Sequence, residues 1–288
     1  MKRMIIAAAA AASLLGLSAC GSSSSDSTGS SEAVTAVKAQ ATAPEGLVKA
    51  GTLTVCIDPE YAPLEYYENG TSGDIIGFDA DAARALAAYW GLEFATQVTT
   101  FEGLQPGLTS KRCDVIPGGL YMSEERTSVL DGVAYMQTGP ALIVGTSVKT
   151  DPAAEKDLCG LTLVGQNASE NLTEAKRIAS ECEAAGAAKT SVQNYPKTSD
   201  TVLAVMNGKA DALIETDVAA VDIVKKSSGK LRQINGFFPP STQFGMFANK
   251  DAALTAPLGE ALKALYTDGT LGKIATTYGL STDSLNVY

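Results

Sequence analysis

Leu53-Thr54-Val55-Cys56-Ile57, followed by Asp79-Ala80-Asp81-Ala82-Ala83-Arg84-Ala85-Leu86-Ala87-Ala88-Tyr89, decides the fold class. The first segment is short, continuous and apolar, which reads as a buried strand. In the second, apolar residues recur at helical spacing, which reads as an amphipathic helix. Working outward, residues 93–98 read as a strand, 103–109 as a short helix, 114–117 as a third strand and 123–130 as a helix. Ser123 ahead of Glu124 and Glu125 supplies a capping hydroxyl and first-turn acids, which the helix dipole favours. Strand and helix in alternation predict an α/β unit with a mostly parallel sheet and helices on both faces.

The alternation begins again after residues 141–145, an apolar run that reads as a crossing between lobes. Strands are expected at 161–165, 190–195 and 212–215, with helices at 169–183, 198–207 and 217–226. This series predicts a second α/β lobe. Phe244-Gly245-Met246-Phe247 and two closing helices, 254–267 and 271–278, read as completing the first. The expected first lobe is 46–142 with 243–288 and the second is 143–242, joined by crossings near 140–147 and 236–243. Two such lobes enclose a cleft at the carboxyl ends of their strands, where open α/β sheets bind ligands.

At the N-terminus, Lys2 and Arg3 precede an Ala- and Leu-rich run too short to span a bilayer, ending at Leu17-Ser18-Ala19-Cys20. A cysteine at the small-residue cut predicts that residues 1–19 are a lipoprotein signal and that Cys20 carries acyl chains. The chain is then extracytoplasmic, anchored at the cell surface or in the periplasm. Residues 20–45 are rich in Ser, Gly, Ala and Thr and are expected to form a flexible tether. Omitting residues 1–19 removes Lys2 and Arg3 and no acid, so the net charge of -10 becomes -12. That balance disfavours nucleic acid as a partner. The sequence contains no histidine, which excludes His-based triads, His general bases and the commonest zinc sites. No cofactor or metal is expected, and nothing demands more than a monomer.

Beyond Cys20 the cysteines are Cys56, Cys113, Cys159 and Cys182. An even count in an exported chain permits disulfides, and Cys159 with Cys182 brackets one strand-then-helix unit, which favours that bridge. Cys56 and Cys113 stand in or just ahead of apolar strands, where they either pair across neighbours or remain buried thiols.

Ordered motifs carry a resemblance. Asp58-Pro59-Glu60-Tyr61-Ala62-Pro63-Leu64-Glu65, Gly77-Phe78-Asp79-Ala80-Asp81, Glu124-Glu125-Arg126, Asp157-Leu158-Cys159-Gly160, Gly208-Lys209-Ala210-Asp211-Ala212 and Asp268-Gly269-Thr270 resemble the signatures of family 3 solute-binding proteins. Those proteins serve ATP-binding-cassette importers of polar amino acids. The resemblance implies a two-lobed periplasmic-binding-protein-like (type II) α/β fold with two hinge crossings. It also implies capture of a small carboxylate-bearing ligand, a polar amino acid or derivative, for a membrane permease. The Cys159–Cys182 arrangement is similar to a branch of the family that bridges these positions. Some proteins resembling the family are instead dehydratases, lyases or sensor components; without histidine, Glu215 and Asp217 are the acids that catalysis would have to use.

Within that resemblance Arg126 matches the arginine that grips the ligand carboxylate; a guanidinium fork suits a carboxylate, and a cation in a helix's first turn opposes the dipole and so needs a reason. A surface ion pair is the plainer alternative. The Gly118-Gly119 backbone is expected to add donors. Tyr61 and Phe101 match positions that sandwich the ligand, and Asp58 one that meets its side chain; core packing and turn capping are the alternatives. Ser169 matches a hydroxyl that helps hold the carboxylate, or simply caps a helix. Asp79 and Asp81 read as a capped helix start rather than a metal pair. The sequence departs from the family at Gly118, Gly119 and Tyr121, where relatives carry hydroxyl side chains and this chain offers backbone and a large ring, and at Thr216, where the family has the aspartate that meets the α-ammonium. Glu215 and Asp217 flank it, and Asp217 is the simplest replacement.

Overall fold

In the computed structural model, which describes residues 32–288, a short helix α1 (Glu32–Thr35) precedes the buried strand β1 (Thr52–Ile57). An antiparallel meander of very short strands follows, β2 (Glu60–Tyr61), β3 (Glu65–Tyr67) and β4 (Ile75–Ile76). Next come α2 (Phe78–Tyr89), β5 (Glu93–Val98), α3 (Phe101–Thr109), β6 (Ile116–Tyr121) and α4 (Glu124–Val129). Strand β7 (Leu130–Thr138) leads into β8 (Pro140–Gly145), β9 (Thr162–Gln166), α5 (Glu170–Ala184) and β10 (Ser191–Tyr195). The second lobe continues with α6 (Thr198–Met206), β11 (Ala212–Thr216), α7 (Asp217–Lys226) and β12 (Leu231–Ile234). The chain returns through β13 (Thr242–Asn249) to α8 (Thr255–Thr267) and α9 (Thr270–Thr277).

The first lobe pairs β1 with β5 in parallel, bridges β1 to the residue before β6 at Val55 and Val115, and inserts β13 antiparallel between β6 and β7. The second lobe has the order β10-β9-β11-β8-β12. Only β10, β9 and β11 run parallel there; β8 opposes both its neighbours. The expected mostly parallel sheets are therefore mixed. The reason is connectivity: β8 and β13 enter their sheets from the interlobe side, against strands fed by helical crossovers. Residues 141–145 are likewise the interior of β8, hydrogen-bonded between β11 and β12, and not a crossing. The reversal lies just before them at Gly139, where a Cβ would stand 2.9 Å from Pro240 Cα, so the two crossings touch.

Residues 32–45 are not the free tether expected of them. Val34 is buried, Val37 and Ala43 pack on the first-lobe core, and the Gln40 and Ala41 amides donate to the Tyr89 carbonyl at 2.8 and 3.2 Å. Those few apolar side chains and one free helix-end carbonyl give the segment something to bury and something to bond. The signal segment 1–19, Cys20 and the rest of the tether lie outside the described residues. Among the described residues no helix is long and apolar enough to cross a membrane. Cys159 is bonded to Cys182, and Cys56 to Cys113, each with Cα atoms 5.5 Å apart. The second bridge ties β1 to the segment before β6, in the framework beneath the cleft.

Candidate ligand-binding cleft

Strands β6, β9 and β11 end at Tyr121, Gln166 and Thr216, and the residues around these ends face one another across the lobes. One cavity is lined by Tyr61, Phe101, Gly119, Tyr121, Arg126, Gln166, Ser169, Glu170, Asn171, Glu215 and Thr216. A neighbouring one is lined by Asp58, Glu60, Tyr61, Glu65, Phe101, Gly118, Gln166 and Thr198. The lobes are drawn together so that about 20 and 10 Å³ remain open in them. Tyr61, Phe101 and Gln166 form their common wall.

Arg126 is 8% exposed. Its amide is capped by the Ser123 hydroxyl at 3.3 Å, its Nη1 donates to the Tyr121 carbonyl at 2.5 Å, and its guanidinium carbon lies 5.8 Å from the Phe247 ring centre. Its Nε has no partner among the described residues. Burial lowers its pKa from the ordinary value, offset in part by Glu170 and Glu125. A buried guanidinium with an unspent donor is equipped to take an anionic group. Tyr121 is held by a column of rings: it stacks on Phe244 at 5.5 Å, which stacks on Tyr135 at 6.3 Å, which stacks on Phe78 at 5.8 Å. This column fixes the first-lobe wall from the core outward.

The second-lobe wall is hydrogen-bonded to itself and to Tyr61. The Tyr61 hydroxyl donates to Glu215 Oε1 at 2.8 Å and lies 2.6 Å from Thr216 Oγ1. Asn171 Nδ2 at 3.3 Å and the Thr216 amide at 2.8 Å donate to the same Glu215 oxygen. Tyr121 donates to Asn171 Oδ1 at 3.3 Å. Burial raises the pKa of Glu215, against these donors, and burial with Glu215 nearby raises Tyr61 and Tyr121 well above the usual phenol value. Lys197 and Glu60 form an ion pair between the lobes at the rim.

Several expected roles change. Gly119 does line the cleft, but its amide donates to Asp79 Oδ2 at 2.9 Å and is not free for a ligand. A Cβ at Gly118 would stand 2.2 Å from Glu65 Oε1, so this glycine makes room for a buried carboxyl. Asp79 is thus a support beneath the wall and does not cap α2, whose N-cap is Gly77 without a side-chain bond. Asp81 bonds Arg84 at 2.9 Å and receives the Tyr278 hydroxyl at 2.8 Å. Burial raises Asp79 to about 7 and Glu65 well above the carboxylate range; Asp58, half-buried and beside Glu60, rises to about 6. Ser169 caps α5, accepting from the Leu172 amide at 3.1 Å, and Thr216 caps α7 at 3.2 Å from the Ala219 amide. Asp217 lines neither cavity: its Oδ1 accepts from the Thr138 hydroxyl at 2.6 Å and its amide donates to the Gly139 carbonyl at 2.9 Å, in the hinge. Gln166, Glu170 and Asn171 were not foreseen. Gln166 sits at a strand's carboxyl end, the one positional signal that points to it; an acid and an amide in a helix's first turn are ordinary.

A larger groove of about 710 Å³ lies between the meander and helices α6 and α7, with Tyr66, Tyr67, Leu203, Met206 and Ile223 in its walls. Its lysines, Lys197 and Lys226, are exposed, whereas the smaller cavity has the buried guanidinium of Arg126.

Residues 53–281 match the model of the bacterial extracellular solute-binding proteins, family 3. The chain belongs to this family. Relatives of this family 3 protein include an arginine-binding protein of Corynebacterium glutamicum, 27% identical over 242 residues, covering 84% of this chain and 78% of that one. An L-cystine-binding protein of Escherichia coli is 26% identical over 234 residues, 80% of this chain and 84% of that one. An ancestral arginine-binding protein bound to arginine superposes with a TM-score of 0.71 at 25% identity, covering 80% of this chain and 98% of that one. The family 3 protein therefore has the type II two-lobed fold and works outside the cytoplasm.

Proposed function

We propose that this protein captures a free polar amino acid between its lobes and hands it, without chemical change, to the permease of an ATP-binding-cassette importer, while lipid at Cys20 holds it on the membrane. The observation that carries the reading is Arg126, a guanidinium 8% exposed with an unpartnered Nε at the cleft. Relatives whose names specify arginine and cystine support an amino-acid ligand. The ligand carboxylate docks on Arg126, with Tyr61 and Phe101 against its body and Asp58 toward its far end. Glu170, Asn171, Glu215 and Thr216 then arrive with the second lobe. Because those contacts form only on closing, the ligand binds the closed state better and shifts the hinge toward it. Capture at micromolar concentration corresponds to about -8 kcal/mol, within reach of one carboxylate clamp, one ammonium partner and a stacked face after binding costs.

Native mass spectrometry on residues 32–288, purified without refolding, tests this. One retained amino acid per chain, identified after denaturation, is the expected result. A protein that emerges empty and shows no thermal shift with any common amino acid or with cystine contradicts it.

A further inference from the structure

If an amino acid docks on Arg126, its α-ammonium needs an anion, since a buried ammonium without one is costly. The acids around position 216 are engaged with protein partners. Glu215 Oε1 already accepts from the Tyr61 hydroxyl, Asn171 and the Thr216 amide, and the residue is 4% exposed. Thr216 Oγ1 is held between Tyr61 and the Ala219 amide. Asp217 faces Thr138 in the hinge.

Glu170, in the first turn of α5, lines the same cavity as Arg126, and its Oε1 lies 4.0 Å from Arg126 Nη2 across the lobes. Among the described residues its carboxylate accepts no hydrogen bond, and its side chain is 27% exposed. In an α-amino acid the ammonium nitrogen stands about 2.5 Å from the carboxylate carbon. A carboxylate gripped by Arg126 therefore carries its ammonium into the space beside the guanidinium, where Glu170 faces it. The result is an alternation of guanidinium, ligand carboxylate, ligand ammonium and Glu170 carboxylate, each next to its opposite. The N-terminal turn of α5 suits an acid at that point. We infer that Glu170 is the ammonium-binding residue of this cleft and a determinant of its specificity for free α-amino acids. The assignment rests on the amino-acid reading above. Because Glu170 arrives from the second lobe, it makes recognition of the free amine part of closure.

The test compares wild type with Glu170→Gln by calorimetry, using L-arginine and 5-guanidinopentanoate, the same skeleton without the α-amino group. L-arginine affinity is expected to fall at least about tenfold in the variant, the scale of one charge-assisted hydrogen bond. Affinity for the des-amino acid is expected to stay equal or rise, because the variant removes an anion beside its carboxylate. L-arginine affinity within twofold of wild type, or an equal loss for both compounds, overturns the assignment. A wild type that binds neither L-arginine nor any other amino acid fails before the variant is compared; that outcome overturns the amino-acid reading and the assignment with it.

Discussion

The two walls of the cleft are built by opposite means. The first-lobe wall, Tyr61, Phe101, Tyr121 and Arg126, consists of rings and one buried cation, backed by a column of stacked aromatics. The second-lobe wall, Gln166, Glu170, Asn171, Glu215 and Thr216, consists of acids, amides and hydroxyls, most of them bonded to one another or to Tyr61. A preorganised wall with an unspent donor is suited to hold a ligand; a wall whose bonds reach across the gap can form them only when the gap is shut. Docking and closure therefore lean on different walls, with Tyr61 shared between them.

The division is broken most severely at Arg126. Arg126→Ala removes the one buried cation of the first wall, and affinity should fall by at least about 100-fold, the scale of truncating a buried charge partner; equilibrium titration measures it. Tyr61→Phe keeps the ring but cuts the hydroxyl bridge to Glu215 and Thr216, so affinity should fall about tenfold, mainly through faster release from a less stable closed state. Stopped-flow release rates distinguish that from a lost docking surface. Asp79 behind the first wall is pushed up to about 7 and Asp58 in the cleft to about 6 in the folded protein, against about 3.9 when unfolded. The folded state holds protons that the unfolded state has lost, so stability is fullest below about pH 4 for these groups and declines as pH rises through 7. The melting temperature should be higher at pH 5 than at pH 8, and Asp79→Asn should flatten that slope. The smallest effect is expected at Asp217: Asp217→Asn keeps an acceptor for Thr138 and should leave affinity within about twofold.

Elements with strong periodicity were legible in the sequence: β1, α2, α5 and α7 lie within a few residues of their expected bounds. The meander strands were not, because segments of two or three residues carry no period, and β12, Leu231-Arg232-Gln233-Ile234, is too short and polar to stand out. An apolar run alone does not separate a crossing from a buried central strand, which is why residues 141–145 read as a linker. At the cleft, Arg126 was singled out by the Glu124-Glu125-Arg126 resemblance together with its cation in a first turn, which opposes the dipole, whereas Glu170 is the ordinary residue type there. Asp217 misled because position in a motif does not fix which way a side chain points; at the start of α7 it turns into the hinge. Gly118 and Gly119 read as donors to a ligand, yet they accommodate Glu65 and Asp79, a contact between segments far apart in the chain.

A crystal structure of the protein with its retained amino acid bound decides whether Arg126 anchors the ligand. The ligand carboxylate is expected within hydrogen-bond reach of Arg126, with the ligand between Tyr61 and Phe101 and both lobes in contact with it. A ligand seated instead in the groove beside Tyr66 and Met206, with Arg126 untouched, would contradict it.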